Sequence, residues 1–268
     1  MKQIYLVFLL ALFILIGCKQ RDYSNPGPSL IYVTFNGEVS NTGILPVEFR
    51  GQKYVSFSKG ISDTCLNLSK NALFRKPVII DKGSANRFND YEGLTIIFWV
   101  KTDPNDPNEY VIIGQKSLAE DKNYSGWHIS KTKTGSWRWV FRNGNDSLQY
   151  APTHAHQPIN DGGWHQIGFT MNKSQGEARF FYNGNLKAIL STENMDLSFP
   201  GTSLYAGADP LAQNMQTQTF NGMIDELGVW SRAFSNNQVA GLYNQTSGRK
   251  LKPLPAYKDS ITMLTWNI

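Results

Sequence analysis

The chain has 268 residues and a formal charge of +5, from 26 basic and 21 acidic side chains. The basic residues are scattered with no long Lys/Arg run, which argues against nucleic-acid binding by this chain. Two cysteines are too few for a disulfide framework, so stability must come from an apolar core.

Lys2 precedes an apolar run from Ile4 to Gly17. That run is too short to span a bilayer and suits the core of a signal peptide at residues 1–17. It ends Leu15-Ile16-Gly17-Cys18, which resembles the bacterial lipobox. The resemblance implies lipidation at Cys18, a membrane tether, and a place in the bacterial cell envelope, at the outer membrane or cell surface. Residues 18–28 then read as a lipidated, flexible stalk, rich in polar residues and Pro.

From residue 29 onward the pattern is nearly all strand. Cys65 lies between apolar neighbours in DTCLNL and reads as a buried, inert thiol. Residues 94–101 are apolar on both faces, as expected of a central strand covered on both sides. The polar stretch 103–109 (DPNDPNE) is a loop long enough to carry a site. In 136–142 (SWRWVFR), Trp137, Trp139 and Phe141 alternate with Arg138, Val140 and Arg142. Asn-Gly at 143–144 and at 183–184 has hairpin flanks. His154 and His156 sit in a Pro-bounded loop; they would share a face on a strand, but a metal role is secondary to simple exposure.

A strand is expected from Trp164, with Ile167 and Phe169 on one face, and Trp164 is assigned with Trp99 to the core. The second long polar loop is 209–219. A strand over Met223–Trp230 leads into a short helix. Ser235 and Gln238 have capping-box spacing there, Phe234 and Val239 staple spacing, and Val239, Leu242 and Tyr243 share a face.

Three phrases in fixed order, Trp164-His165, Tyr182-Asn183-Gly184 and Phe220 to Glu226, resemble the laminin-G-like jelly-roll group of the concanavalin-A-like lectin/glucanase superfamily. SLIYVTFNG (29–37) and LTIIFWVKT (94–102) are similar to that group's first and central strands. The resemblance covers roughly residues 29–247. It implies an all-β, two-sheet antiparallel jelly-roll sandwich with one short C-terminal helix. It also implies a structural calcium joining the first strand to a late one, at Asp225 and Asn36. Asn36 stands where relatives often carry Asp, which removes a charge that a hard cation prefers. The alternative for Asp225 is a hydrogen bond to backbone.

Residues 248–268 read as a linker followed by SITMLTWNI. That ending resembles the opening strand of the endonuclease/exonuclease/phosphatase superfamily, with Asn267 at the position that helps place metal and phosphate. The competing readings are a last sandwich strand or an unstructured tail.

A retaining glycosidase needs two carboxylates about 5–5.5 Å apart. No strand offers acidic residues at alternating positions, and adjacent Asp225 and Glu226 are expected to point to opposite faces. Sugar recognition needs an aromatic platform with planar polar partners. Trp127, Trp137, Trp139 and Arg142, with the loop at Asp209, are the candidates, although alternating Trp residues also describe a sandwich core. The expected function is a non-catalytic recognition or adhesion domain of a lipoprotein, with a glycan or extracellular polymer as partner. The alternatives are the accessory N-terminal region of a larger secreted metal-dependent phosphodiesterase or nuclease, and a diverged glycoside hydrolase.

Overall fold

The structure is a computed structural model that describes residues 26–81, 85–118, 124–213 and 218–248. The expected signal peptide, Cys18, and the tail with Asn267 lie outside the described residues.

Two antiparallel sheets face each other in a jelly-roll sandwich. The first contains β1 (Ile31–Val33), β3 (Ser56–Lys59), β4 (Thr64–Asn67), β6 (Gly93–Thr102), β11 (His165–Asn172), β12 (Glu177–Tyr182), β13 (Asn185–Ser191) and β15 (Gly222–Trp230). Its order is β13-β12-β11-β6-β15-β4-β3, with β1 also paired to β15. The second contains β2 (Glu48–Arg50), β5 (Val78–Asp81), β7 (Tyr110–Leu118), β8 (Tyr124–Lys131), β9 (Trp137–Asn143), β10 (Asp146–Tyr150) and β14 (Leu204–Ala206). Its order is β10-β9-β8-β7-β14-β5-β2.

Strand β6 is central, as its two-sided apolar pattern predicts. Ile96, Phe98 and Val100 enter the core between the sheets. Ile97 faces outward, into a second apolar cluster with Phe181, Trp230, Phe234, Val239 and Leu242. Helix α1 (Asn236–Ser247) closes that cluster, and Trp99 stacks on its Tyr243 with ring centroids 5.2 Å apart. The helix starts where the sequence indicates. Ser235 Oγ accepts from Gln238 N, and Gln238 Oε1 accepts from Ser235 N, completing the capping box.

Turn chemistry sets register at the hairpins. Asn183 (φ 50°) and Gly184 (φ 74°) both adopt the left-handed conformation that a type I′ turn requires, between paired Tyr182 and Asn185. At the other Asn-Gly the register differs from expectation. Asn143 pairs with Asp146, so the turn is Gly144-Asn145, with positive φ at Gly144 and not at Asn145. Trp164 also departs from expectation: it is half-buried just before β11 rather than in the core. The neighbouring His165 is a structural pin. Its Nε2 bonds Asp161 Oδ1 at 2.8 Å and its Nδ1 bonds Tyr182 Oη at 2.7 Å, tying a loop to the β12 hairpin.

Candidate functional site

The tryptophans proposed as a sugar platform are not one. Trp127, Trp137 and Trp139 are fully buried between the sheets. Trp127 and Trp139 pack on Phe169 at 5.2 and 5.3 Å, and Trp137 packs on Tyr150 at 5.3 Å. Alternation identifies two faces of β9 without saying which one is inside. Here the aromatic face is the core, so no ligand reaches it.

The same alternation turns the other face outward, and the remaining candidates meet there. Arg142 is exposed on β9. Registers place Arg142 opposite Gly126, and Gly126 opposite Lys116 on β7. One step along, Val140 lies opposite His128, which lies opposite Gly114, which pairs in turn with Tyr205 on β14. A Cβ added at Gly114 would fall 2.9 Å from His128 Cβ, so glycine there leaves room for the imidazole.

Asp209, from the loop after β14, ties that loop to the sheet. Lys116 Nζ donates to Asp209 Oδ2 at 2.7 Å. The Tyr124 ring carries Lys116 Nζ at 4.6 Å and Arg142 Cζ at 5.2 Å, both within cation–π range. His128 meets the edge of Tyr124, with centroids 5.8 Å apart. Burial lowers the pKa of Lys116, opposed by its bond to Asp209. Burial, then Lys116, push the His128 imidazole down to about 3, so it is neutral at ordinary pH. Among the described residues, His128 Nδ1 and Ser130 Oγ have no hydrogen-bond partner.

Beside this cluster opens a cavity of about 470 Å³ lined by Asn108, Glu109, Tyr110, Val111, Asp209 and Gln218. Residues of both polar loops therefore line this cavity. The 103–109 loop is fastened from below by fully buried Lys131, whose Nζ donates to Asp106 O at 2.7 Å and Asn108 O at 2.8 Å. Glu109 pairs with Arg138 on β9. A second depression of about 500 Å³, between residues 173–176 and 192–198, is lined without any aromatic ring.

Of the residues named from sequence, Arg142 and Asp209 lie in this cluster, and Lys116, Tyr124, His128 and Tyr205 join them without a local sequence motif. The signal was present in strand parity. Trp127 and Ile129 inside put His128 outside, and the glycines at 114 and 126 mark where the outer face is thinned.

Asp225 and Asn36, the expected calcium ligands, are both engaged in hydrogen bonds. Asp225 is fully buried, and its carboxylate accepts from Ile61 N and from Glu226 N, each at 2.9 Å. Asn36 Oδ1 accepts from Thr64 N at 3.4 Å. No group of three or more His, Cys, Asp or Glu suited to a metal occurs among the described residues. Burial foremost, with the charge of Glu226, holds the Asp225 carboxyl up at about 7.

The expectation that Asp225 and Glu226 diverge also fails. β15 bulges between Asp225 and Gly228, and Glu226 is left-handed (φ 49°). Asp225 pairs with Trp99, while Glu226 accepts from Tyr32 Oη at 2.5 Å, so both lie on the helix-covered side. Neither borders the two cavities described.

His154 Nε2 bonds Asn160 Oδ1 and His156 Nδ1 bonds Thr153 Oγ1, each at 2.8 Å, so the two exposed imidazoles serve their own loop. Cys65 is buried and its thiol is pushed up to about 11, which leaves it unreactive at neutral pH.

Sheet order, capped helix and strand bulge together define a jelly-roll sandwich of the lectin and glucanase type. The Laminin_G_3 family of the concanavalin A-like lectin/glucanases superfamily matches residues 81–240, and the chain belongs to that family.

Among similar proteins, Paraclostridial mosquitocidal protein 1 of Paraclostridium bifermentans is 23% identical over 214 residues, covering 76% of this chain and 15% of that protein. The crystal structure of its binding domain matches with TM-score 0.63 and 16% identity, over 81% of this chain and 52% of that one. The ligand-binding domain of botulinum neurotoxin serotype D, solved with N-acetylneuraminic acid, matches with TM-score 0.60 and 21% identity, over 81% and 50%. The chain thus spans about half the length of these binding domains, and the likeness is one of fold.

Proposed function

We propose that this chain is a non-catalytic recognition domain that binds a glycan on the outer face of the second sheet. One observation carries the reading. The outer face gathers exposed Arg142 and half-buried Tyr124 and Asp209 with buried Lys116 and neutral, buried His128, beside a cavity of about 470 Å³. Half-buried Tyr205 offers ring surface for a sugar's apolar face, and Arg142 with the amides of Asn108 and Gln218 offers hydrogen bonds to hydroxyls. The family and the binding-domain relatives support recognition over catalysis. The serotype D domain with bound N-acetylneuraminic acid supports a sugar as the kind of ligand. Lys116 and Arg138 are paired with Asp209 and Glu109, so exposed Arg142 is the cation that would favour a glycan bearing carboxylate or sulfate.

The lipobox-like Cys18 would tether the domain to the cell envelope, where extracellular glycans are met. Metabolic labelling with a fatty acid, lost on Cys18→Ser, tests the tether.

A glycan array that includes acidic polysaccharides tests the binding reading. Wild-type protein should bind a defined subset, and Arg142→Ala should weaken it by about tenfold or more. An array without binding, or binding unchanged in Arg142→Ala, defeats the assignment of this face.

A further inference from the structure

The two cavities lie at the two ends of one strand. Near the start of β9, Arg138 pairs with Glu109, which lines the cavity of about 470 Å³. At the end of β9, Asn143 Nδ2 donates to Asp196 O at 3.3 Å. Asp146, paired with Asn143, accepts from Asp196 N through Oδ2 at 2.8 Å. Asp196 lines the depression of about 500 Å³. Between these ends Arg138, Val140 and Arg142 alternate with the core residues Trp137, Trp139 and Phe141 and so face outward. From Arg138 to Asn143 an extended strand rises about 17 Å. One sugar ring cannot reach both cavities, and a chain of several can.

The depression is built on fixed walls. On one side Asn172 Oδ1 accepts from Ser174 Oγ at 2.9 Å and from Gln175 N at 3.1 Å. The 192–198 side is held by Thr192 N donating to Gly176 O at 2.7 Å and by the Asp196 bonds to the β9–β10 turn. Thr192 lines the depression, is 3% exposed, and its Oγ1 has no hydrogen-bond partner among the described residues. A hydroxyl entering the depression, directly or through one water, would complete it.

Charge differs along this path. Arg142 is exposed on the outer face of β9. In the depression the exposed charged groups are Glu193 and Asp196, and the lining cation, Lys173, donates to Asn89 O at 3.1 Å. Carboxylates accept from sugar hydroxyls and repel a second carboxylate. A carboxylate-bearing sugar is therefore favoured at Arg142 and a neutral one in the depression.

We propose that the depression is a further sugar subsite and that the ligand is the interior of a linear glycan laid along β9, with carboxylate-bearing sugars next to neutral ones. The inference rests on the recognition face proposed above. It adds a second contact, a requirement for chain length and an order of charge.

The test is calorimetry on the full chain with hyaluronan fragments of about two, four and six sugars, in which uronate alternates with a neutral hexosamine. Polygalacturonate fragments of matched length, with carboxylate on every sugar, are the comparison. The longest hyaluronan fragment should bind about tenfold or more tighter than the shortest, and about tenfold or more tighter than its polygalacturonate counterpart. Two variants should each remove that gain and leave the affinity of the shortest fragment unchanged. Ser174→Trp fills the depression from an exposed position. Glu193→Ala/Asn194→Gly strips its wall, with glycine suited to the left-handed φ of 62° at Asn194. Hydrogen exchange on the unaltered protein reads the contact without a variant: residues 192–198 should be protected by the longest fragment and not by the shortest.

Affinity that does not grow with length, variants that keep the gain at unchanged melting temperature, polygalacturonate bound as tightly, or 192–198 left unprotected overturns the inference. So does a failure of every hyaluronan fragment to bind while an array glycan binds through Arg142, and in all these cases the recognition face stands. An array on which nothing binds defeats the recognition face itself, and the inference with it.

Discussion

The two sheets bury the same kind of inner face and treat their outer faces differently. Outside the first sheet, Ile97, Phe181 and Trp230 are sealed by Val239 and Leu242 of α1 and by Phe234 just before it. Outside the second, among the described residues, no helix lies over the sheet, and the side chains are Arg142, Lys116, His128 and Tyr124, with one loop pinned by an ion pair. An apolar outer face needs a cover and becomes scaffold. On the polar outer face Lys116 and His128 are buried beside Tyr124 and Asp209, and Arg142 is the exposed group.

Substitutions on the sealed side should cost stability and little else. Trp99→Ala removes the ring stacked on Tyr243, and a loss of about 3–5 kcal/mol is expected for a buried Trp, read by denaturant unfolding. Trp139→Ala should behave the same way from the core. It should unfold the protein before it selectively removes any ligand.

The pH response should separate the sheets next. For Asp225 on β15 the folded pKa, about 7, lies above the unfolded value near 3.8. The folded state therefore holds the extra proton, and this contribution to stability is full below about pH 4 and is lost as pH rises toward 7. For His128 on β8 the folded pKa, about 3, lies below the unfolded value of 6.5. The unfolded state holds the extra proton, so this contribution is full above 6.5 and is lost as pH falls toward 3. Asp225→Asn should make melting temperature rise more steeply from pH 4 to 7, and His128→Gln should flatten it. Identical pH profiles for wild type and both variants would break the comparison.

Ser235→Ala removes one side of the capping box and should cost about 1 kcal/mol, seen as a lower urea midpoint at unchanged slope. Smallest of all is the response to calcium. With Asp225 held by backbone N–H groups, melting temperature should be the same in calcium as in chelator. A rise with calcium would show that the β15 bulge opens to a cation.

What could be read from sequence follows from the range of each rule. The Asn183-Gly184 turn, the Ser235–Gln238 cap and the two-sided β6 are local, and local patterns fixed them. The Gly144-Asn145 turn shifted by one residue because either dipeptide supplies a positive-φ glycine, and only pairing with β10 chooses between them. The tryptophan face of β9 was ambiguous because alternation has no sign. The turn of Glu226 depends on a bulge opposite β6, and the closeness of Asp209 to Lys116 spans 93 residues. No short window contains either.

The recognition face is tested most directly by hydrogen exchange with and without the best-binding glycan from the array. Protection is expected in β8 and β9, in residues 108–111 and around Asp209, with α1 unchanged. Protection confined to α1 and the outer face of the first sheet, or to none of these segments, would contradict the placement of the site.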